Sequence, residues 1–494
     1  MTTSTPNWVK TAIFYQIFPD SFARVVPPHQ SWLLDLPLQA WDAPPDGQSY
    51  KGGNLWGILD KLDYLQDLGI TALYLTPIFQ SACNHRYHTH DYYQVDPLLG
   101  GNEAFFALRD AIHHRKMYLV LDGVFNHASR GFFQFNDILE NGPYSPWLDW
   151  FKIQGWPLAP YTGSQSANYA GWFNNRALPE FNHANPGVRE YLMRVGEYWI
   201  EQGIDGWRLD VPFCITEPGF WQEFRQRVKA INPEAYITGE IFGDASQWLD
   251  GEQFDGVMNY PFGEATLAFV GGDRVQLQSL PNDGYRPTPA LDAAGYAQAV
   301  TTLLQRYPWE IQQTQLNLLD SHDVARVGTV LGGDRPSLLL ALLLLFTFPG
   351  APCVYYGDEV GLLGGHDPDC RRAFPAEAAW DQDLRAIYRQ LIQIRQNHPA
   401  LQTGAYQVLH TEGLVYGFGR VLGHQGAIVV INNEEKARSA SIDLSALNLP
   451  NSAWETATLT YGLPLDLTPT PSRLTCTLPP RSGFIYANKA SRDS

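Results

Sequence analysis

The sequence predicts an α/β fold: a closed (β/α)8, or TIM, barrel with a small domain inserted after its third strand and a C-terminal antiparallel β-sandwich. Three observations predict it. Strand-like hydrophobic runs alternate with helical stretches over residues 11–359, the pattern of a parallel sheet with crossover helices. One connection, 128–182, is far longer than an ordinary loop. Beyond residue 401 the chain changes to short, turn-bounded β-runs, the pattern of a sandwich.

The eight barrel strands are expected at 11–17, 72–76, 118–124, 206–211, 236–241, 256–260, 315–321 and 353–359. Helical stretches separate most of them, for example 55–68, 102–115, 186–202 and 219–231. Asn185-Pro186 reads as a cap followed by a first-turn proline. The apolar run 338–348 is too short to span a bilayer and ends at Pro349-Gly350-Ala351-Pro352. It reads as a buried helix feeding the eighth strand. The sandwich strands are expected at 406–410, 414–421, 427–432, 437–444, 455–461 and 473–478. The domain limits are therefore 1–127 and 183–402 for the barrel, 128–182 for the insert and 403–494 for the sandwich.

The chain has 494 residues, more than one ordinary core holds, and 45% of them are apolar, so it is globular. A formal net charge of −17 argues against nucleic acid or an anionic membrane as partner, since both call for a basic face. The charge fits a soluble protein acting on a neutral substrate, and solubility alone explains it equally well. The five cysteines, Cys83, Cys214, Cys353, Cys370 and Cys476, include no C-x-x-C pair. They signal no disulfide framework and no zinc site, and they suit the cytoplasm. The first residues show neither the basic patch nor the apolar stretch of a signal peptide. Trp147, Trp150, Trp156, Tyr161, Tyr169 and Trp172 crowd the long connection. Each suits core packing, or stacking on the apolar face of a sugar ring.

Four acidic positions follow hydrophobic β-runs. Asp122 opens Asp122-Gly123-Val124-Phe125-Asn126-His127, Asp210 ends Gly206-Trp207-Arg208-Leu209-Asp210, and Glu240 follows Thr238-Gly239. Asp323 ends Leu319-Asp320-Ser321-His322-Asp323. In a closed barrel the C-terminal strand ends meet on one face, so these carboxyl groups would share one pocket. Arg208 and Asp210 are two apart and lie on one strand face. A guanidinium beside a carboxylate keeps it ionised, as a nucleophile requires. An acid that protonates a leaving oxygen needs the opposite shift. Several carboxyl groups around one pocket are what glycosidic bond cleavage requires.

These segments resemble the signature regions of the α-amylase superfamily of glycoside hydrolases. Further segments, 69–79, Leu178-Pro179-Glu180-Phe181-Asn182 and Gly357-Asp358-Glu359-Val360-Gly361, are similar to the neopullulanase/cyclomaltodextrinase subfamily. Within it the chain most resembles the short cyanobacterial-type debranching enzymes. The resemblance implies that Asp210 is the nucleophile, Glu240 the general acid/base and Asp323 the transition-state stabiliser. It implies that Arg208, His127 and His322 hold the sugar at the cleavage point, that Asp122 supports Arg208, and that Tyr87 stacks beneath that sugar. Asp367 and Arg371 would bind the neighbouring sugar.

Departures from the subfamily qualify this. The first strand begins near residue 11, so the N-terminal β-domain that commonly builds a dimer is expected to be absent. That disfavours cyclodextrins and points to a monomer acting on longer, branched substrates. Phe242 stands where an indole is common, with consequences for acceptor binding, and His88 where Asp is frequent. Many α-amylases hold calcium partly through a His four residues after the nucleophile. That position is Cys214, a poor ligand for a cation that prefers oxygen, so no metal and no cofactor is expected.

The expected activity is a retaining α-glucan hydrolase cutting α-1,6 branch points, α-1,4 bonds or both, in glycogen- or starch-derived chains, pullulan and maltooligosaccharides. A cyclomaltodextrinase or maltogenic amylase with transglycosylation is the alternative. A non-catalytic, transporter-associated relative is the third reading. Such relatives carry a membrane anchor and lack catalytic acids, whereas this chain keeps Asp210, Glu240 and Asp323.

Overall fold

Eight parallel strands close into a barrel in the computed structural model, which describes residues 5–161, 163–280, 285–463, 467–470 and 472–488. The ends of the first and last expected domains, 1–4 and 489–494, lie outside the described residues. In chain order β1 is Phe14–Ile17 and β2 Ala72–Leu75, and β3 (Phe79–Ser81) and β4 (Thr89–Val95) form an antiparallel hairpin. Then come β5 (Tyr118–Gly123), β6 (Gly206–Leu209), β7 (Tyr236–Gly239), β8 (Gly256–Asn259), β9 (Leu316–Asn317) and β10 (Ala351–Tyr355). The order around the barrel is β1-β10-β9-β8-β7-β6-β5-β2.

The chain divides into two compact units. The first is built mainly from Phe14–Val257 and the second mainly from Met258–Cys370 and Pro375–Ser494.

In the first unit, β1, β2, β5, β6 and β7 pair in parallel, and their registers align the site residues. Asp122 lies opposite Arg208, and Arg208 opposite Thr238. Close packing of β6 on β7 requires Gly206: a Cβ there would come within 2.4 Å of the Tyr236 carbonyl oxygen. The helix Pro186–Glu201 begins as its sequence predicts, with the Asn185 side chain accepting from the N–H groups of Gly187 and Val188. The expected helix 55–68 is two, Leu55–Asp60 and Leu62–Leu68, meeting at Lys61 and stopped by left-handed Gly69.

Among its described residues the insert contains the helix Phe133–Asn141 and isolated bridges rather than a sheet. Its core is aromatic: Phe135, Phe151 and Phe181 are buried, and Tyr169 packs edge-on against Phe135. Among the six aromatic residues singled out in the sequence, Trp147 and Trp150 pack on each other, whereas Tyr161 is 72% exposed.

In the second unit the leucine-rich run forms the buried helix Arg335–Thr347, capped by Asp334, and feeds β10. The expected strand 315–321 keeps ladder pairing only at Leu316–Asn317. Side chains take over beyond it: the Tyr285 hydroxyl donates to the Leu319 carbonyl, and the Val327 N–H to Asp320 Oδ2. β10 starts earlier than expected, and it ends earlier because left-handed Gly357 turns the chain.

The C-terminal region continues with β11 (Ala405–Glu412), β12 (Val415–Leu422), β13 (Gln425–Asn432), β14 (Arg438–Asp443), β15 (Thr458–Tyr461), β16 (Thr468–Thr470), β17 (Arg473–Leu478) and β18 (Ser482–Ala487). A five-stranded sheet, β11-β12-β13-β18-β15, and a three-stranded sheet, β14-β17-β16, enclose Ile428, Val430, Ile442, Leu474 and Phe484. Strands β16 and β18 escaped the sequence reading. The helix Asn451–Glu455 replaces the start of the strand expected at 455–461.

Candidate active site

Arg208 organises the first unit's polar cluster. Its side chain is fully buried on β6. Nη1 lies 3.0 Å from both Asp122 carboxylate oxygens and 3.2 Å from Asp210 Oδ1, and Nη2 lies 2.8 Å from Glu240 Oε1. One guanidinium therefore joins three carboxyl groups from the ends of three neighbouring strands. Burial pulls the Arg208 guanidinium down, but Asp122 and Glu240 more than restore it, so it stays a cation.

Asp122 sits inside β5, one residue before its end. Besides Arg208 it accepts from the Tyr74 hydroxyl at 2.7 Å and the Tyr87 hydroxyl at 3.1 Å. Burial pushes its carboxyl up against the opposing pull of Arg208 and these hydroxyls.

Asp210 and Glu240 are the first residues past β6 and β7, and both are buried. Val211, next to Asp210, has φ 35°, and its N–H donates to Glu240 Oε2 at 3.1 Å. A β-branched residue in the left-handed region is strained, and such strain gathers at functional sites. Phe242, two residues past Glu240, is half-buried.

Tyr87 comes from the β3–β4 connection, a loop held from beneath. Arg86, left-handed at φ 60°, is buried, with Nε 2.9 Å from Asp96. The Asn84 side chain donates to the carbonyls of Asp46 and Ser49. These anchors turn Tyr87 toward Asp122. His127, past β5, is buried with its ring 5.6 Å from that of Trp172. Burial, then the neighbouring His88, lowers His127 to about 3, so it is neutral.

In the second unit Asp323 lies past β9, where His322 Nε2 stands 3.1 Å from its Oδ2. His322 is fully buried and Asp323 is 29% exposed in its side chain. The segment is pinned. The Asp323 N–H donates to Ser321 Oγ, which contacts the Tyr260 hydroxyl at 3.1 Å, and the Cys370 thiol donates to the His322 carbonyl. Asp367, in the same unit, is half-buried. Arg371, in the first unit, lies with its guanidinium 5.3 Å from the Phe18 ring centroid.

The structure thus brings Tyr87, Asp122, Arg208, Asp210 and Glu240 into one bonded cluster, and Asp323 with His322 into a second pair. Sequence reasoning missed Tyr74, Val211, His183 and Ser321. His183 Nε2 bonds the Phe125 carbonyl at 2.9 Å, supporting the chain just past β5. Tyr74 and Ser321 lie inside the quoted segments 69–79 and 319–323, whereas Val211 and His183 carry no local signal beyond residue type.

Cys214 is half-buried, and burial, then the surrounding carboxylates, push its thiol up to about 11. A neutral thiol gives a hard cation nothing to bind.

The family model for the alpha-amylase catalytic domain matches residues 16–393. A cyclomaltodextrinase from a Bacillus species is 42% identical over 435 residues, covering 87% of this chain and 74% of its own. Neopullulanase 2 from Thermoactinomyces vulgaris is 39% identical over 447 residues, covering 89% and 72% respectively. The crystal structure of the debranching enzyme from Nostoc punctiforme superposes with a TM-score of 0.91 at 58% identity, covering 99% of this chain and all of that one. The eight-stranded barrel, the carboxyl groups gathered on one buried arginine and these matches make the chain a member of the α-amylase family of glycoside hydrolases.

Proposed function

We propose that the protein is a retaining α-glucan hydrolase that removes α-1,6-linked side chains and also cuts α-1,4 bonds in glycogen- or starch-derived glucans, pullulan and maltooligosaccharides. The observation that carries this reading is the bridge from Asp210 through Arg208 to Glu240. Two carboxyl groups on one guanidinium are close neighbours, which favours the short separation of a retaining pair over the wider gap an inverting enzyme needs for water. The likeness to the Nostoc debranching enzyme, stronger than that to the cyclomaltodextrinase, supports the preference for branched substrate.

Asp210 attacks the anomeric carbon while Glu240 delivers its proton to the departing glycosidic oxygen. The C–O bond breaks and a glycosyl ester forms on Asp210. Water then gives a proton to Glu240 as its oxygen displaces Asp210 from the same carbon, and the starting configuration returns. Arg208 pairs with Asp210 and positions it, and is itself supported by Asp122. Asp323 stabilises the oxocarbenium-like charge. Tyr87, His127 and His322 hold the sugar at the cleavage point, and Asp367 and Arg371 the next sugar. Phe242 lines the acceptor side.

The barrel would span 1–127 and 183–402, with an insert at 128–182 and a sandwich from 403. No helix among the described residues is long and apolar enough to cross a membrane. All five cysteines are unbridged, in keeping with the cytoplasm, and the same reading takes the protein as a monomer that recognises neutral glucan.

Product analysis tests the reading. Purified protein is given a branched maltooligosaccharide, with β-cyclodextrin in parallel. Release of intact linear side chains is the expected result. Rapid ring opening to maltose, with branches left intact, would establish the cyclomaltodextrinase alternative instead.

A further inference from the structure

We propose that Cys83, His85 and His88 form a binding site for a single zinc ion beside Tyr87. The donor atoms of the three side chains all lie within 4.8 Å of one another. Cys83 Sγ is 3.5 Å from His85 Nδ1. Zinc–sulfur and zinc–nitrogen bonds of about 2.3 and 2.0 Å at a tetrahedral angle place the two donors about 3.5 Å apart, so this pair already stands at the edge length of a zinc tetrahedron. The rings of His85 and His88 meet edge-on, with centroids 5.1 Å apart.

The loop is built to hold this arrangement. Asn84 and Arg86 bond inward to Asp46, Ser49 and Asp96, and the alternating residues Cys83 and His85 are presented together. One thiolate and two imidazoles suit zinc and not the oxygen-seeking calcium or magnesium. Water completes the tetrahedron. Zinc displaces the Cys83 thiol proton to solvent, so one proton leaves for each ion bound.

The site also touches the sugar platform. The Tyr87 N–H donates to His85 Nδ1 at 3.3 Å, and the two rings lie nearly parallel at 5.7 Å. Zinc on Nδ1 takes the lone pair that holds this N–H. Resting on the reading of Tyr87 as the sugar-stacking residue, zinc therefore raises KM several-fold with less effect on kcat.

Metal-free protein is titrated with zinc by calorimetry in two buffers that report proton release, and with cobalt by absorption. One zinc ion, one proton and a thiolate-to-cobalt charge-transfer band are expected. Cys83→Ser and His88→Asn, each with an unchanged melting temperature, are expected to weaken zinc binding by more than the roughly 10- to 100-fold that loss of a ligand's supporting hydrogen bond costs. Less than half an equivalent of zinc, or unchanged binding in both variants, overturns the site and the coupling with it. Stoichiometric binding with unchanged KM overturns the coupling alone.

Discussion

The backbone N–H of Val211 donates to Glu240 Oε2 at 3.1 Å from a residue held at φ 35°. The peptide after Asp210 thus orients the carboxyl group of the neighbouring strand. Holding a β-branched residue there costs on the order of 1–3 kcal/mol. Val211→Gly relieves that strain but loses burial worth about as much and frees the peptide to move. Stability measured by urea unfolding is expected to change by about 1 kcal/mol or less, while kcat falls about tenfold. A clear loss of stability with kcat unchanged would make Val211 a packing residue only.

Glu240→Gln removes the proton that the leaving oxygen needs. Hydrolysis of maltooligosaccharides is expected to fall by about 10²- to 10⁴-fold. α-Maltosyl fluoride, whose leaving group needs no proton, should be far less affected in the glycosylation step. An equal loss on both substrates would argue against Glu240 as the acid.

Asp122→Asn withdraws a charge from a fully buried guanidinium. Breaking a buried ion pair from one side costs about 3–5 kcal/mol, read as a fall in the urea midpoint. Tyr74→Phe, which deletes one hydroxyl donor to the same carboxylate, should cost about 1 kcal/mol. Similar small losses in both would mean that Arg208 is held by its other partners.

Several histidines that burial pulls below their ordinary value make the fold acid-sensitive, His90, His398 and His410 among them, and three are shifted most. Burial lowers His88 to about 4, His127 to about 3 and His183 to about 4, against an ordinary 6.5. Between these values and 6.5 the unfolded chain binds more protons than the folded one, so stability is fully present above that window. It is lost as pH falls through it, by about 1.4 kcal/mol per pH unit for each ring. Buried carboxyls that are pushed up, Asp122 among them, offset part of that loss in the whole protein, so the histidine contribution is read by difference: His183→Asn should lose less stability than the parent from pH 6.5 to 4, by one proton's slope. An unchanged slope in His183→Asn would contradict the burial of that ring as a neutral group.

Much of this was legible in sequence because it is local. A strand such as 206–209 announces itself by composition, and Arg208 and Asp210 share a face by their spacing alone. The third partner, Glu240, was legible as a carboxyl group past another strand, but its bond to the Val211 N–H depends on a left-handed backbone that a valine gives no reason to expect. The strand expected at 315–321 failed for a related reason. Its apolar residues have strand character, yet Tyr285, distant in sequence, takes the Leu319 carbonyl that a ladder would use. β18 was missed because Ser482-Gly483 opens it without alternation, although it is flanked on both sides in its sheet. The cysteine count gave no hint of Cys83 with His85 and His88, since the cluster needs the turn at Arg86.

The central claim is a covalent double displacement on Asp210. The most direct test is to incubate the protein with a 5-fluoro-α-glucosyl or α-maltosyl fluoride, which forms the intermediate faster than water resolves it, and to map the labelled peptide by mass spectrometry. The account predicts one glycosyl unit per chain, esterified to Asp210. A label on Glu240, or turnover to product of inverted configuration with no labelled enzyme, would contradict it.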